Sequence, residues 1–149
     1  QHMSKNDIGA LIIVCPTNVP NNVIETGTRL DSLLSAEVLE CIFNNKSPLH
    51  DGAVVVKNNV IIAAGCFLPL SQDPTISKEL GTRHRAAVGI TEESDVVAIV
   101  VSEETGIISV MRRGEIKRYM TSDKLMEILE NTYGINYISR KSERRSSKR

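Results

Sequence analysis

Apolar residues along the chain fall into short runs and helically spaced sets. Residues 8–14 (IGALIIV) form an apolar run with β-branched residues, stopped by Pro16, which predicts a strand. Residues 16–22 hold two prolines and three asparagines and predict a loop. Residues 23–34 contain a break at Thr26-Gly27-Thr28, followed by a segment able to form a short strand. Ser35 is placed to cap a helix over 36–44. Glu37 lies in its first turn, where negative charge suits the helix dipole, and Val38, Leu39, Ile42 and Phe43 follow at helical spacing. After a loop over 44–51, strands over 53–56 and 60–67 are joined by Asn58-Asn59, a pair that tolerates the positive φ of a hairpin turn.

The pattern continues with a long loop over 68–78, carrying Pro69 and Pro74. Leu80, Ala87, Val88 and Ile90 predict a helix over about 80–91 whose first turn holds residues 82–85. Residues 96–101 (VVAIVV) are apolar throughout, the mark of a strand buried on both faces. A second hairpin over 107–111 and 115–119 turns at Arg113-Gly114. Thr121 then caps a last helix over 122–131, ended by Tyr133-Gly134. The interleaving predicts an α/β fold with a central mixed, twisted β-sheet of about six strands flanked by helices.

The chain has 149 residues, 41% of them hydrophobic and 24% charged, which fits one soluble globular domain rather than a disordered segment. The formal net charge of zero is a cancellation. Residues 140–149 (RKSERRSSKR) carry six Lys/Arg and one Glu, and residues 1–139 carry 12 basic and 17 acidic residues. A body at −5 therefore precedes a tail at +5. The tail has no apolar residue and is expected to be a disordered extension, with contact to a membrane surface or nucleic acid as the sharper alternative. Residues 1–3 resemble an expression scar and are set apart from a body over 4–139. No secretory signal opens the chain, and no apolar run approaches the roughly 18 residues needed to span a bilayer. Cys15, Cys41 and Cys66 lie far apart in apolar segments without metal spacing, so three buried free thiols are expected.

Three polar clusters sit at the ends of apolar elements. In Leu49-His50-Asp51-Gly52-Ala53, an imidazole and a carboxylate can together hold a divalent ion, and Gly52 removes a side chain where a ligand could approach. The same Asp-Gly pair is also common in plain turns. In Gly81-Thr82-Arg83-His84-Arg85, helix N-terminal amides join two guanidiniums suited to phosphate. Basic residues there oppose the helix dipole, a conflict that an anion would resolve, although solvated arginines at a helix end are the simpler account. In Ser102-Glu103-Glu104-Thr105-Gly106, Ser102 is suited to a phosphate oxygen and Glu104 to a metal or a ribose hydroxyl, unless the segment is only an acidic turn. Phe67 and Leu68 are placed either to sandwich a base or to fill the core. No Walker loop or Rossmann glycine fingerprint is present.

Together these segments resemble the diadenylate cyclase domain, with the fold of that family. The matching stretches are PLHDGAV at 48–54, FLPL at 67–70, ISKELGTRHRAA at 76–87 and VVSEETG at 100–106. The Asp-Gly-Ala and Arg-His-Arg elements form the signature pair, and the FLPL and SKELGT runs are most similar to the CdaA type. The likeness covers roughly residues 8–131.

The resemblance implies a bacterial nucleotidyltransferase that condenses two ATP into the second messenger cyclic di-AMP and releases two pyrophosphates. It implies Mn²⁺, Mg²⁺ or Co²⁺ as cofactor and a homodimer whose two domains meet face to face. Asp51 would orient or deprotonate the attacking 3′-hydroxyl, and His50 with Asp51 would hold the metal. Gly52 and Ala53 would line the adenosine, and Phe67 and Leu68 would flank adenine. Gly81, Thr82, Arg83, His84, Arg85 and Ser102 would bind phosphates, with Glu104 near the metal or ribose. Many CdaA relatives have Tyr where this chain has Phe67, so a hydroxyl is lost there while the stacking face remains. The resemblance further implies a cytoplasmic domain of a parent protein anchored by N-terminal helices, which this sequence lacks. It implies no nucleic-acid partner, and no membrane contact unless through the tail. An ATP-binding module without turnover is the alternative.

Overall fold

The computed structural model describes residues 1–133. Its elements in chain order are α1 (His2–Lys5), β1 (Ala10–Val14), α2 (Asn21–Ile24), β2 (Thr28–Leu33), α3 (Ala36–Phe43), β3 (Ala53–Lys57) and β4 (Val60–Cys66). These are followed by α4 (Thr82–Glu93), β5 (Val97–Val101), β6 (Ile108–Arg112), β7 (Glu115–Lys117) and α5 (Ser122–Tyr133). One seven-stranded sheet runs in the order β2-β4-β3-β1-β5-β6-β7. Only β1 and β3 pair in parallel; every other neighbour is antiparallel, so the sheet is mixed. The seventh strand is β2, which the sequence pattern left open.

Both hairpins turn where the sequence placed them. Asn58 and Asn59 take φ of 51° and 61°, and Arg113 and Gly114 take 52° and 77°, the positive values that a two-residue turn needs to match strand twist. The Ser35 hydroxyl accepts from the Val38 amide at 3.1 Å and caps α3. The Thr121 hydroxyl accepts from the Lys124 amide at 3.3 Å, and α5 begins at the next residue. The expected end of that helix at Gly134 and the basic segment 140–149 lie outside the described residues.

Two apolar layers sandwich the sheet. Leu11, Ile13, Val55 and Val100 pack with Ala87, Val88 and Ile90 of α4. The alternate residues Ala10, Val14, Val54 and Val101 pack with Ile42 and Phe43 of α3 and with Leu125 and Ile128 of α5. Successive strand side chains point to opposite faces, so strands covered on both sides must be apolar at every position. Met3, which the sequence reading set aside with residues 1–3, is buried in the second layer. Cys15 and Cys66 are buried as expected, and burial raises both thiols to about 11. Cys41 departs from expectation: it is exposed, because α3 turns Ile42 and Phe43 inward and leaves residue 41 to solvent.

Candidate functional site

One end of the sheet opens into a cleft of about 1110 Å³, slightly above the roughly 300–1,000 Å³ common for small-molecule sites. The start of β1, the loop entering β3, the exit of β4, the first turn of α4 and the exit of β5 all meet there. Ligands of open α/β sheets collect at strand carboxyl ends. Here only β4 and β5 contribute such ends, because β1 and β3 run the other way.

The first cluster reaches the cleft through His50, Asp51 and Gly52. His50 Nδ1 lies 2.7 Å from the Ser47 carbonyl oxygen. A carbonyl can only accept, so Nδ1 donates to it and Nε2 is the ring nitrogen left open to a metal. This is the tautomer that a metal-binding histidine uses, oriented from behind by a backbone oxygen. The Asp51 carboxylate, exposed beside it, supplies a hard oxygen donor. Among the described residues no three His, Cys, Asp or Glu side chains gather into a metal site. The donor set therefore fits a cation held partly by protein and partly by a ligand's own oxygens, the usual pattern for Mg²⁺ on phosphates. Gly52 takes φ of 112°, and a β-carbon there would stand 2.8 Å from the Gly65 backbone. Only glycine allows the chain to enter β3 so close to β4. Ala53 is fully buried in the α4-side layer and does not line the cleft.

Gly81 is the N-cap of α4 and has no side chain to occupy the first amides, while Thr82, Arg83 and His84 line the cleft beside them. The Arg83 guanidinium is mostly buried and lies 3.5 Å from Glu103 Oε2. It passes against Gly9, where an added β-carbon would come 2.5 Å from Nη1. His84 is buried. Desolvation first, then the charges of Arg118 and Arg83, hold it below the ordinary value of 6.5. It is thus a neutral imidazole at pH 7, and the helix start carries two charges rather than three. Arg85 does not line the cleft; two residues turn a helix by about 200°, which carries Arg85 away from the face that Arg83 presents.

Ser102 and Glu104 both line the cleft where β5 ends. The Ser102 hydroxyl accepts from the Glu104 and Thr105 amides, each at 3.3 Å, which leaves its own proton free to donate. Glu104 is exposed. Phe67 is 66% exposed at the rim, with an uncovered ring face, and Leu68 packs against the core beneath. Phe67 therefore does not fill the core, whereas Leu68 packs on it, and both line the cleft. The sequence reading missed Lys78, Glu103 and Arg118, which also line the cleft. Arg118 follows the short edge strand β7, where alternating charges look like a solvated surface.

The chain is similar to known proteins in sequence and in fold. The family model described as DisA bacterial checkpoint controller nucleotide-binding (DAC) matches residues 1–116. The cyclic di-AMP synthase CdaA of Bacillus subtilis is 51% identical over 135 residues, covering 91% of this chain and 50% of that protein. The crystal structure of DacA from Staphylococcus aureus, a double mutant, superposes with a TM-score of 0.86 at 47% identity, covering 89% of this chain and 88% of that one. A structure described as a hypothetical membrane spanning protein from Bacillus cereus superposes at 0.78 and 47% identity, covering 81% and 59%. The chain spans about half the length of the first curated relatives it matches.

Proposed function

The chain belongs to the DAC family of nucleotide-binding domains, and from that premise we propose that it is a diadenylate cyclase joining two ATP molecules into cyclic di-AMP. The observation that carries the reading is convergence. Asp51 and Gly52, Arg83 and His84, and Ser102 and Glu104 come from three distant segments and line one cleft. Each cleft takes one nucleotide, and a second copy of the chain presents the other, face to face. Each 3′-hydroxyl oxygen then forms a bond to the α-phosphorus of the opposite nucleotide, and the bond from that phosphorus to pyrophosphate breaks. Two such displacements close the ring and release two pyrophosphates and two protons.

The protein's part is largely positioning, which can replace much covalent catalysis when reacting atoms are held in near-attack geometry. The Asp51 carboxylate orients the 3′-hydroxyl and accepts its proton. Arg83, the amides at the start of α4 and the Ser102 hydroxyl hold the phosphates and stabilise charge as pyrophosphate departs. His84 is uncharged, so it acts as a hydrogen-bonding wall rather than a third cation. Phe67 offers its ring to adenine over Leu68. His50 and Asp51 would hold a divalent cation, Mn²⁺, Mg²⁺ or Co²⁺. When bound, it neutralises phosphate charge and polarises the reacting phosphoryl group.

The parent protein is proposed to be membrane-anchored, as the description of the Bacillus cereus relative suggests. No helix among the described residues is long and apolar enough to cross a membrane. Incubating the chain with ATP and Mn²⁺ should give a product that co-elutes with cyclic di-AMP. Asp51→Asn should abolish it while the circular dichroism spectrum is retained. ATP binding by calorimetry without any product would favour a binding module instead.

A further inference from the structure

The cleft contains a cation that neither signature element supplies. Arg118 follows β7 and lines the cleft with His84 and Arg83. Its charge acts on the buried His84 together with that of Arg83, so both guanidiniums lie near the same imidazole. The two differ in how they are held. Arg83 has Glu103 at 3.5 Å. Arg118 has no carboxylate within 4.0 Å among the described residues, and the Nε of both arginines is buried without a hydrogen-bond partner. Its guanidinium carbon lies 5.1 Å from the centroid of the Tyr119 ring, a contact that leaves the charge intact.

The backbone holds this side chain in place at some expense. Tyr119 takes φ of 58°, a left-handed conformation uncommon for a bulky residue. It is fixed between β7 and the Met120 amide, which donates to the Ile108 carbonyl at 2.9 Å. Strain of this kind persists where surrounding structure over-determines it, and it clusters at functional sites. A second guanidinium that shares a cleft with Arg83 and has no carboxylate partner among the described residues is a local electrostatic conflict that an anion would relieve.

We propose that Arg118 is a polyphosphate ligand that, with Arg83, takes the β- and γ-phosphates of the bound nucleotide and so selects triphosphate over monophosphate. The identity of the nucleotide rests on the diadenylate cyclase reading; the preference for a polyphosphate rests on the two guanidiniums.

Calorimetry of the full chain with ATP and with AMP tests this. Arg118→Gln and Arg118→Ala should weaken ATP roughly ten- to a hundredfold, the loss expected for a hydrogen bond to a charged group, and leave AMP within about twofold. Arg118→Lys should fall between, since a point charge replaces a fork of donors. Unchanged ATP affinity in the Gln and Ala variants would overturn the proposal. So would an equal loss of ATP and AMP, which a merely structural role would produce. If Arg118→Ala does not fold, the Lys and Gln variants carry the same comparison. A wild-type chain that binds ATP through Arg118 but forms no cyclic di-AMP would remove turnover and leave this site standing. Wild-type cyclisation alongside an Arg118→Gln variant as tight as wild type would do the reverse.

Discussion

The Arg83 guanidinium occupies the space where a β-carbon on residue 9 would lie, 2.5 Å from Nη1 and 2.9 Å from Cζ. Gly9 has no positive φ, so its backbone admits alanine, and the added methyl acts first on the arginine and then on its partner Glu103, whose Cβ would lie 3.1 Å away. Gly9→Ala should therefore displace Arg83 and reduce kcat/KM for ATP by about 10-fold or more, the sensitivity expected when a phosphate ligand is misplaced by an ångström. The melting temperature should hold within a few degrees, and unaltered kinetics would sink this positioning role. The thiols give a second prediction at this scale. Cys15 and Cys66 are buried, with thiols raised to about 11, so both stay protonated at neutral pH, and Cys41 is exposed. A thiol-reactive dye should label one cysteine rapidly in native protein and three after denaturation. His50, Asp51, Arg83 and Ser102 were legible in the sequence because each is polar at the end of an apolar run. Gly9 was not, because it lies inside what reads as a continuous strand, and no local pattern reports an arginine arriving from residue 83.

At the scale of elements, α4 joins the cleft to the sheet, and its buried histidine makes it sensitive to pH. His84 is held below 6.5 by burial, by Arg118 from beyond β7 and by Arg83 on its own helix. The unfolded chain therefore takes up this proton before the folded chain does. Stability from this group should fall as pH drops below about 6.5 and level off once the pH is below the folded value. Urea denaturation between pH 7.5 and 5 should show this loss, and His84→Gln should show a smaller slope; equal slopes would contradict it. Caps and hairpins were the legible elements, since Ser35, Asn58-Asn59 and Arg113-Gly114 each act through neighbours in sequence. The pattern left β2 open for a physical reason. It is an exposed edge strand with a register shift between Arg29 and Ser32 and a positive φ at Asp31, so it has no clean alternation to detect. The four-residue α1 and α2 are too short to show a helical period.

At the scale of the molecule, one cleft and one nucleotide cannot close a ring that contains two phosphodiester bonds. If the reaction follows the proposed symmetry, each copy activates one 3′-hydroxyl through its own Asp51, and cyclisation needs both. Two consequences separate this from catalysis within one chain. Turnover per chain should fall on dilution. Mixing wild type with excess Asp51→Asn should then reduce cyclic di-AMP more than loss of wild-type chains by dilution alone. Mixed pairs can form only one of the two bonds, so a linear dinucleotide with a 5′-triphosphate should accumulate beside a single equivalent of pyrophosphate. Chromatography of the mixture resolves the linear and cyclic species. A cyclic yield that simply tracks the amount of wild-type chain, with no linear species, would place both activations in one copy and remove the face-to-face arrangement. The net charge of zero conceals why such pairing is electrostatically feasible. The body is acidic overall, and the cleft lining itself sets Lys78, Arg83 and Arg118 among Asp51, Glu79, Glu103 and Glu104. Two triphosphates brought together repel unless guanidiniums and bound cations offset their charge, so at saturating ATP Arg118→Gln, which leaves more of that charge uncompensated, should pair less readily than wild type.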